Sequence, residues 1–160
     1  MLKNTLLAIA FFWIGYAWAG PFDPIVSNAW VGESVPGQAT ATLQLTMTTV
    51  KAVKLLSVSS PAAESVEIHN LVMDKGAMKV KVLANLQLPE HQTTLFGTRG
   101  IFLMMTGIKQ PLTIGERIPV NLVVAFADKQ TKTLSAMAEV RKMDLSYKNY
   151  GSKGIYDERR

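Results

Sequence analysis

Cysteine is absent from this sequence, and histidine and aromatic residues are scarce. None of the 160 residues is a cysteine, two are histidines and 8% are aromatic. The chain therefore cannot form a disulfide, a thiolate zinc site, a cysteine-ligated blue-copper centre or a lipobox with its cysteine. Basic residues outnumber acidic ones by 17 to 12. They form no stripe with interleaved aromatic residues, so nucleic acid is not an expected partner.

The motifs of common enzyme classes are absent too. The sequence has no Gly-x-Ser-x-Gly elbow, no His-Glu-x-x-His pair and no glycine-rich phosphate loop. Its two histidines, His69 and His91, offer little acid–base machinery, and no pair of acidic residues stands out within an apolar strand. We therefore expect that the protein is not an enzyme.

The first nineteen residues have the features of a secretory signal peptide. Lys3 gives a basic start, residues 6–18 are almost entirely apolar, and Ala17-Trp18-Ala19 is a small-x-small cleavage sequence. The apolar run is shorter than the roughly 20 residues that span a bilayer. We predict cleavage after Ala19 and export to a bacterial periplasm, with an uncleaved membrane anchor as the alternative.

Alternating apolar and polar residues fill the chain from residue 20 to residue 142. The clearest run is residues 39–48, in which every second side chain is apolar, as in a half-buried strand. About eight or nine such runs recur at roughly ten-residue spacing, separated by turn signals such as Asp74-Lys75-Gly76. No helical period persists over three turns. Residues 20–142 are therefore predicted to form an all-β Greek-key sandwich.

Residues 143–160 lose this alternation and gain glycine, serine and charge. We predict a flexible basic C-terminal tail; docking of its tyrosines on the sandwich is the alternative. A membrane contact is expected only through this tail or through an acceptor protein. The domain itself is expected to be a monomer.

Imidazole and thioether side chains concentrate between residues 69 and 105. His69 precedes Met73 and Met78, which flank the predicted turn, and Met104 follows on a later strand. These donors suit soft Cu(I) better than a hard cation. The alternative for each methionine is a place in the apolar core, where methionine commonly fills gaps. Met105 alternates to the face opposite Met104, so it is expected in the core.

Three segments carry a resemblance to a known family. They are NAW near the start, SSPAAESVEIHNLVMDKGAMKV in the middle and GIFLMMTGIKQPLTIGERIPVNLVVAF after it. Together they resemble the PCu(A)C family of periplasmic copper chaperones over about residues 25–142. The resemblance implies a cupredoxin-like β-sandwich. It also implies delivery of Cu(I) to a copper-accepting cuproprotein, such as a respiratory oxidase, or to an oxidase assembly factor.

The family's copper ligands are histidine, methionine, histidine and methionine. The corresponding positions here hold His69, Val80, Phe102 and Met104, so the spacing is kept while two donors are replaced. The resemblance implies His69 and Met104 as the retained ligands. Met78 lies two residues before Val80 on the same strand face, and could replace the missing sulfur if the site shifts by roughly 6–7 Å.

Two hypotheses follow from these replacements. In the first, His69 and Met104 bind Cu(I), Met78 or Met73 adds a third donor, and the ring of Phe102 shields the ion or contacts it by cation–π attraction. In the second, Val80 and Phe102 fill a degenerate site, and the protein is a metal-free sandwich that serves as an interaction or scaffold module. His91, in a loop, is expected to face solvent.

Overall fold

The computed structural model describes residues 22–97 and 100–142. These ranges contain ten β-strands and no helix, and so no helix that is long and apolar enough to cross a membrane. The signal peptide predicted at 1–19 and the tail predicted at 143–160 lie outside the described residues. The strands are β1 (Ile25–Gly32), β2 (Thr40–Thr49), β3 (Val53–Ser59), β4 (Ala63–Asp74), β5 (Ala77–Leu83), β6 (Leu86–Leu88), β7 (Gln92–Phe96), β8 (Ile101–Ile108), β9 (Arg117–Phe126) and β10 (Thr131–Arg141).

The strands belong to one sheet that closes on itself. Their order is β5-β4-β8-β2-β1-β10-β9-β3-β6, and β7 lies beside β2. A pairing of β3 with β4 through Val58 and Val66 joins the two sides into a ring. All pairings are antiparallel except that of β1 with β10. The prediction of an all-β, sandwich-like fold is confirmed.

Alternate side chains of the strands form the interior of the ring. On β2, for example, Leu43, Leu45 and Met47 are buried while the residues between them are half-buried. Each buried apolar side chain of this size contributes about 1.5–3 kcal/mol. Met105 of β8 also lies in this core, as predicted from its alternation with Met104.

The hairpin of β4 and β5 extends beyond the ring. The two residues between the strands, Lys75 and Gly76, have positive φ angles of 49° and 82°. Positive φ at both central positions defines the type I′ turn that suits two-residue hairpins, and glycine adopts it without strain. β8 begins opposite Asn70, and Asn70 pairs with Lys81 on β5, so residues 71–80, which we name the distal hairpin, project past the sheet.

Candidate metal site

The register of β4 and β8 places His69 and Met104 on the same face of the sheet. His69 pairs with Phe102, and Glu67 pairs with Met104. Directly paired residues of antiparallel strands point to the same side, as do residues two apart on one strand. His69 and Met104 are therefore diagonal neighbours, and residues in this relation are about 7–8 Å apart, with their Cβ atoms somewhat closer. Side chains of this length span that separation.

This shared face is the outside of the ring. The alternating neighbours of the site, Ile68 on β4 and Leu103 on β8, are buried in the core. The side chains of His69 and Met104 are half-buried on the opposite face. The candidate site is therefore a shallow surface patch that an ion or a partner protein can reach without any opening of the fold.

Two neighbours hold the imidazole of His69 in place. Its Nε2 atom lies 2.9 Å from Oε2 of Glu67, and its ring centroid is 5.2 Å from that of Phe102 at an interplanar angle of 58°. These contacts leave the His69 side chain 14% exposed. Metal-binding histidines commonly donate one ring N–H to a carboxylate, which fixes the tautomer and ring orientation. With Nε2–H donated to Glu67, Nδ1 carries the lone pair that is available to a soft cation.

Glu67 is a functional candidate that sequence reasoning missed. Its signal in the sequence is its position two residues before His69, which on a strand places both side chains on one face. The register adds that Glu67 lies directly opposite Met104. A carboxylate, an imidazole and a thioether therefore share one small area of the outer face.

The two positions that lack family donors have different surroundings. Phe102 covers one side of the His69 ring and is half-buried. Val80 pairs with Leu71 on the distal hairpin and is exposed. Neither side chain offers a lone pair, so neither replaces the donor of the family position. Phe102 instead packs against the imidazole through a tilted ring contact.

Met73 and Met78 lie on the same outer face but farther along the hairpin. They pair directly with each other, whereas His69 pairs with Val82. Met78 and Val82 are four positions apart, which is about 13 Å along a strand. Both methionines are exposed. The structure thus brings Met73 and Met78 together but does not bring them to His69, and a shared ion would require the hairpin to bend.

The remaining histidine lies away from this area. His91 is exposed in the turn between β6 and β7, as predicted, and has a positive φ of 51°. Across residues 22–97 and 100–142, no three histidine, cysteine, aspartate or glutamate side chains converge as a metal ion would require. His69 and Met104 therefore form one pair of neighbouring soft donors, with Glu67 beside them, and Met73 and Met78 form another.

A known family matches most of the chain. Residues 25–138 match the LpqE-like family, described as "Putative lipoprotein LpqE-like". A curated relative from Leifsonia xyli subsp. xyli (strain CTCB07), "Putative lipoprotein Lxx21020", is 28% identical over 130 residues, which cover 81% of this chain and 75% of the relative.

Solved structures of PCuAC domains share the fold. The copper-bound PCuAC domain from PmoF2 matches with a TM-score of 0.58 and 16% identity, covering 75% of this chain and 93% of that domain. The Cu(I) form of DR1885 from Deinococcus radiodurans matches with a TM-score of 0.55 and 25% identity, covering 79% and 82%. Its apo form gives 0.54 and 24%, covering 88% and 95%. These matches confirm the predicted PCu(A)C resemblance at the level of the fold. The chain therefore belongs to the LpqE-like family, and its β domain has the PCuAC fold.

Proposed function

We propose that this protein is an exported, chaperone-like copper carrier that holds Cu(I) between His69 and Met104. The observation that carries the proposal is the position of these two side chains as diagonal neighbours on one outer sheet face. An imidazole nitrogen and a thioether sulfur are donors that Cu(I) favours. Two PCuAC domains of the same fold were solved with copper, and the lipoprotein names of the relatives support export.

The neighbours of the two ligands have distinct parts in this proposal. Glu67 orients the imidazole so that Nδ1 faces the ion, and Phe102 excludes water from one side. With two strong donors in place of four, the protein holds copper loosely and releases it readily. Such a carrier suits delivery to a copper-accepting cuproprotein, for which a respiratory oxidase or an oxidase assembly factor is the proposed acceptor. No catalytic step is part of the proposal.

A third donor, Met78 or Met73, belongs to the proposal as an addition. Both thioethers lie on the same outer face as His69. The distal hairpin is held by a two-stranded ladder alone, and isolated two-stranded ribbons are marginally stable. Bending of the hairpin toward β8 would then bring one of the sulfurs to an ion held by His69 and Met104.

Anaerobic titration with Cu(I) against a chromophoric competing chelator tests the proposal. We expect the purified protein to bind one equivalent, His69→Ala and Met104→Leu each to weaken binding, and the double variant to lose it. His91→Ala is the matched control, because it removes the other histidine from an exposed turn and should leave the affinity unchanged. Binding by the unmodified protein that is no tighter than binding by the double variant contradicts the proposal.

A second candidate function is a metal-free interaction module. The observations that favour it are the replacement of two family donors by Val80 and Phe102 and the exposed apolar face of the distal hairpin. It takes the place of the copper proposal if the competition titration shows no specific binding. In that case the exposed apolar face of the distal hairpin is the expected contact surface of the module.

A further inference from the structure

β5 is an edge strand with one free side. Within residues 22–97 and 100–142 it pairs with β4 and with no other strand. It is seven residues long, contains no proline and keeps one continuous register with β4. A strand of this kind presents a row of unpaired backbone N–H and C=O groups, which natural proteins usually cover or disguise.

The register identifies which backbone groups face outward. The N–H of Leu71 bonds to the carbonyl of Gly100 at 2.5 Å, on the β8 side of β4. In an antiparallel ladder the direction alternates, so the backbone of Asn70 and Val72 faces β5. Their partners Lys81 and Lys79 therefore face β4. The outward groups belong to Met78, Val80 and Val82, which together offer three N–H donors and three carbonyl acceptors.

The side chains of β5 divide into an apolar face and a basic face. Met78, Val80 and Val82 are 57%, 52% and 61% exposed and lie on the side of the sheet that carries His69. Lys79 and Lys81 lie on the other side. The ammonium group of Lys79 bonds to the carboxylate of Asp74. An exposed apolar stripe beside a basic one indicates an interaction surface.

Two possible occupants of this edge fit it poorly. In a second copy paired antiparallel about Val80, Lys79 of each strand would lie opposite Lys81 of the other, and directly opposed like charges destabilise a sheet. A bilayer would surround the unpaired backbone groups of Met78, Val80 and Val82 with hydrocarbon, where nothing can bond to them. The occupant that fits this edge is therefore an extended strand, which has its own backbone donors and acceptors, and one that carries negative charge.

We propose that β5 is a docking edge for an extended segment of a partner protein in which acidic and apolar residues alternate. The segment adds to the sheet as the next strand and bonds to the outward backbone groups, as in other cases of strand addition. Its acidic side chains lie opposite Lys79 and Lys81, and its apolar side chains cover Met78 and Val82. Backbone and lysine contacts carry this docking, so it requires no copper.

Amide hydrogen exchange on the full-length, metal-free protein tests the docking edge. The probe is a capped seven-residue peptide of alternating valine and glutamate, and the control peptide has lysine in place of glutamate. We expect saturating glutamate peptide to slow exchange at Met78, Val80 and Val82 by roughly tenfold or more, while Lys79 and Lys81 stay nearly unchanged because β4 already protects them. The lysine peptide should have no effect.

Two variants separate the contacts that the docking requires. Val80→Pro removes an outward N–H and leaves the bonds to β4 intact, as proline at a strand edge can, so it should abolish peptide binding; Val80→Ala keeps the N–H and should retain it. The double variant Lys79→Glu/Lys81→Glu should reverse the preference, binding the lysine peptide instead. This charge reversal remains decisive if Val80→Pro fails to fold by circular dichroism.

Several results would overturn the proposal. The first is that the glutamate peptide does not slow amide exchange on β5, or that it still slows exchange in the Val80→Pro variant. Concentration-dependent protection without peptide would assign the edge to a second copy. Slow exchange in the dilute protein alone would assign it to another segment of this chain, and protection by anionic phosphatidylglycerol vesicles would assign it to a membrane.

Discussion

The two halves of β4 have very different surroundings. Residues 63–70 lie beside β8, and their inner face packs into the core through Val66 and Ile68. From residue 71 onward the strand no longer pairs with β8, although Leu71 still bonds to Gly100 just before it, and β5 is its ladder partner. The candidate site spans this boundary. The ring positions His69 and its neighbours on β8, whereas a two-stranded ladder alone positions the methionines of the distal hairpin.

Because of this difference in packing, the ring and the hairpin suit different tasks. Groups on a closed ring keep their mutual geometry, which a pair of metal donors needs. A projecting ribbon has few buried contacts and belongs to the part of a protein that opens most easily. The ring is therefore suited to holding an ion, and the hairpin to meeting a partner.

The largest expected effect is on stability, and it separates the two regions. Leu103 is fully buried on β8, and Leu103→Ala should lower the free energy of unfolding by about 2–5 kcal/mol. Val80→Ala on the exposed hairpin should change it by at most about 1 kcal/mol. Urea unfolding followed by circular dichroism measures both. Equal losses for the two variants would show that the hairpin is part of the cooperative core.

Restoring the family donors tests whether the outer face can still position four copper ligands. Val80→Met combined with Phe102→His adds a sulfur and a nitrogen on the face that carries His69. We expect the affinity for Cu(I) to rise by more than about tenfold, equivalent to about 1.4 kcal/mol. The measurement is chelator competition. An unchanged affinity would mean that the outer face no longer positions ligands at these places.

Removal of the carboxylate beside His69 should have a smaller effect. Glu67→Ala leaves the imidazole without its partner at Nε2, and loss of such a partner typically weakens metal binding by about 10–100-fold. Because the Glu67 side chain is 45% exposed, we expect the copper affinity to fall by about tenfold. Glu90→Ala, at an exposed loop position, is the control. Equal copper affinities for the two variants would exclude a positioning role for Glu67.

The smallest expected effect concerns the turn of the distal hairpin. A Cβ added at Gly76 meets no atom within 4 Å, so the cost of Gly76→Ala comes from its φ of +82° alone. We expect local destabilisation by about 1 kcal/mol, seen as roughly fivefold faster amide exchange at Lys79 and Lys81. Exchange at Leu103 should not change. Acceleration throughout the ring would contradict the independence of the hairpin.

Local sequence predicted most of the fold because alternation encodes strands directly. The run at residues 39–48 matches β2, and the turn predicted at Asp74-Lys75-Gly76 joins β4 to β5, each within a residue or two. The described residues form ten strands against the eight or nine predicted, and β6, with three residues, is too short to show a period. Alternation does not encode which strands pair, so it predicted a sandwich but not the pairing of β3 with β4 that closes the ring.

The site was less accessible from the sequence because it depends on register across strands. The pairing of His69 with Phe102, and of Glu67 with Met104, joins β4 to a strand some thirty residues away. The hairpin is different. A two-residue turn that closes on Asp74 and Ala77 fixes every pair of the ladder, including His69 with Val82. The register set by this turn places Met78 four positions away from the partner of His69, and the sequence of the turn alone is enough to predict it.

The most direct test of copper binding by the ring is the ¹³Cε methyl spectrum of the methionines during anaerobic titration with Cu(I). We expect the methyl signal of Met104 to shift in step with the imidazole signals of His69, which are followed in a parallel spectrum, and to stop shifting at one equivalent, while the signal of buried Met105 stays unchanged. A spectrum in which Met104 does not respond, or in which Met73 and Met78 shift while Met104 and His69 do not, would contradict copper binding by the ring.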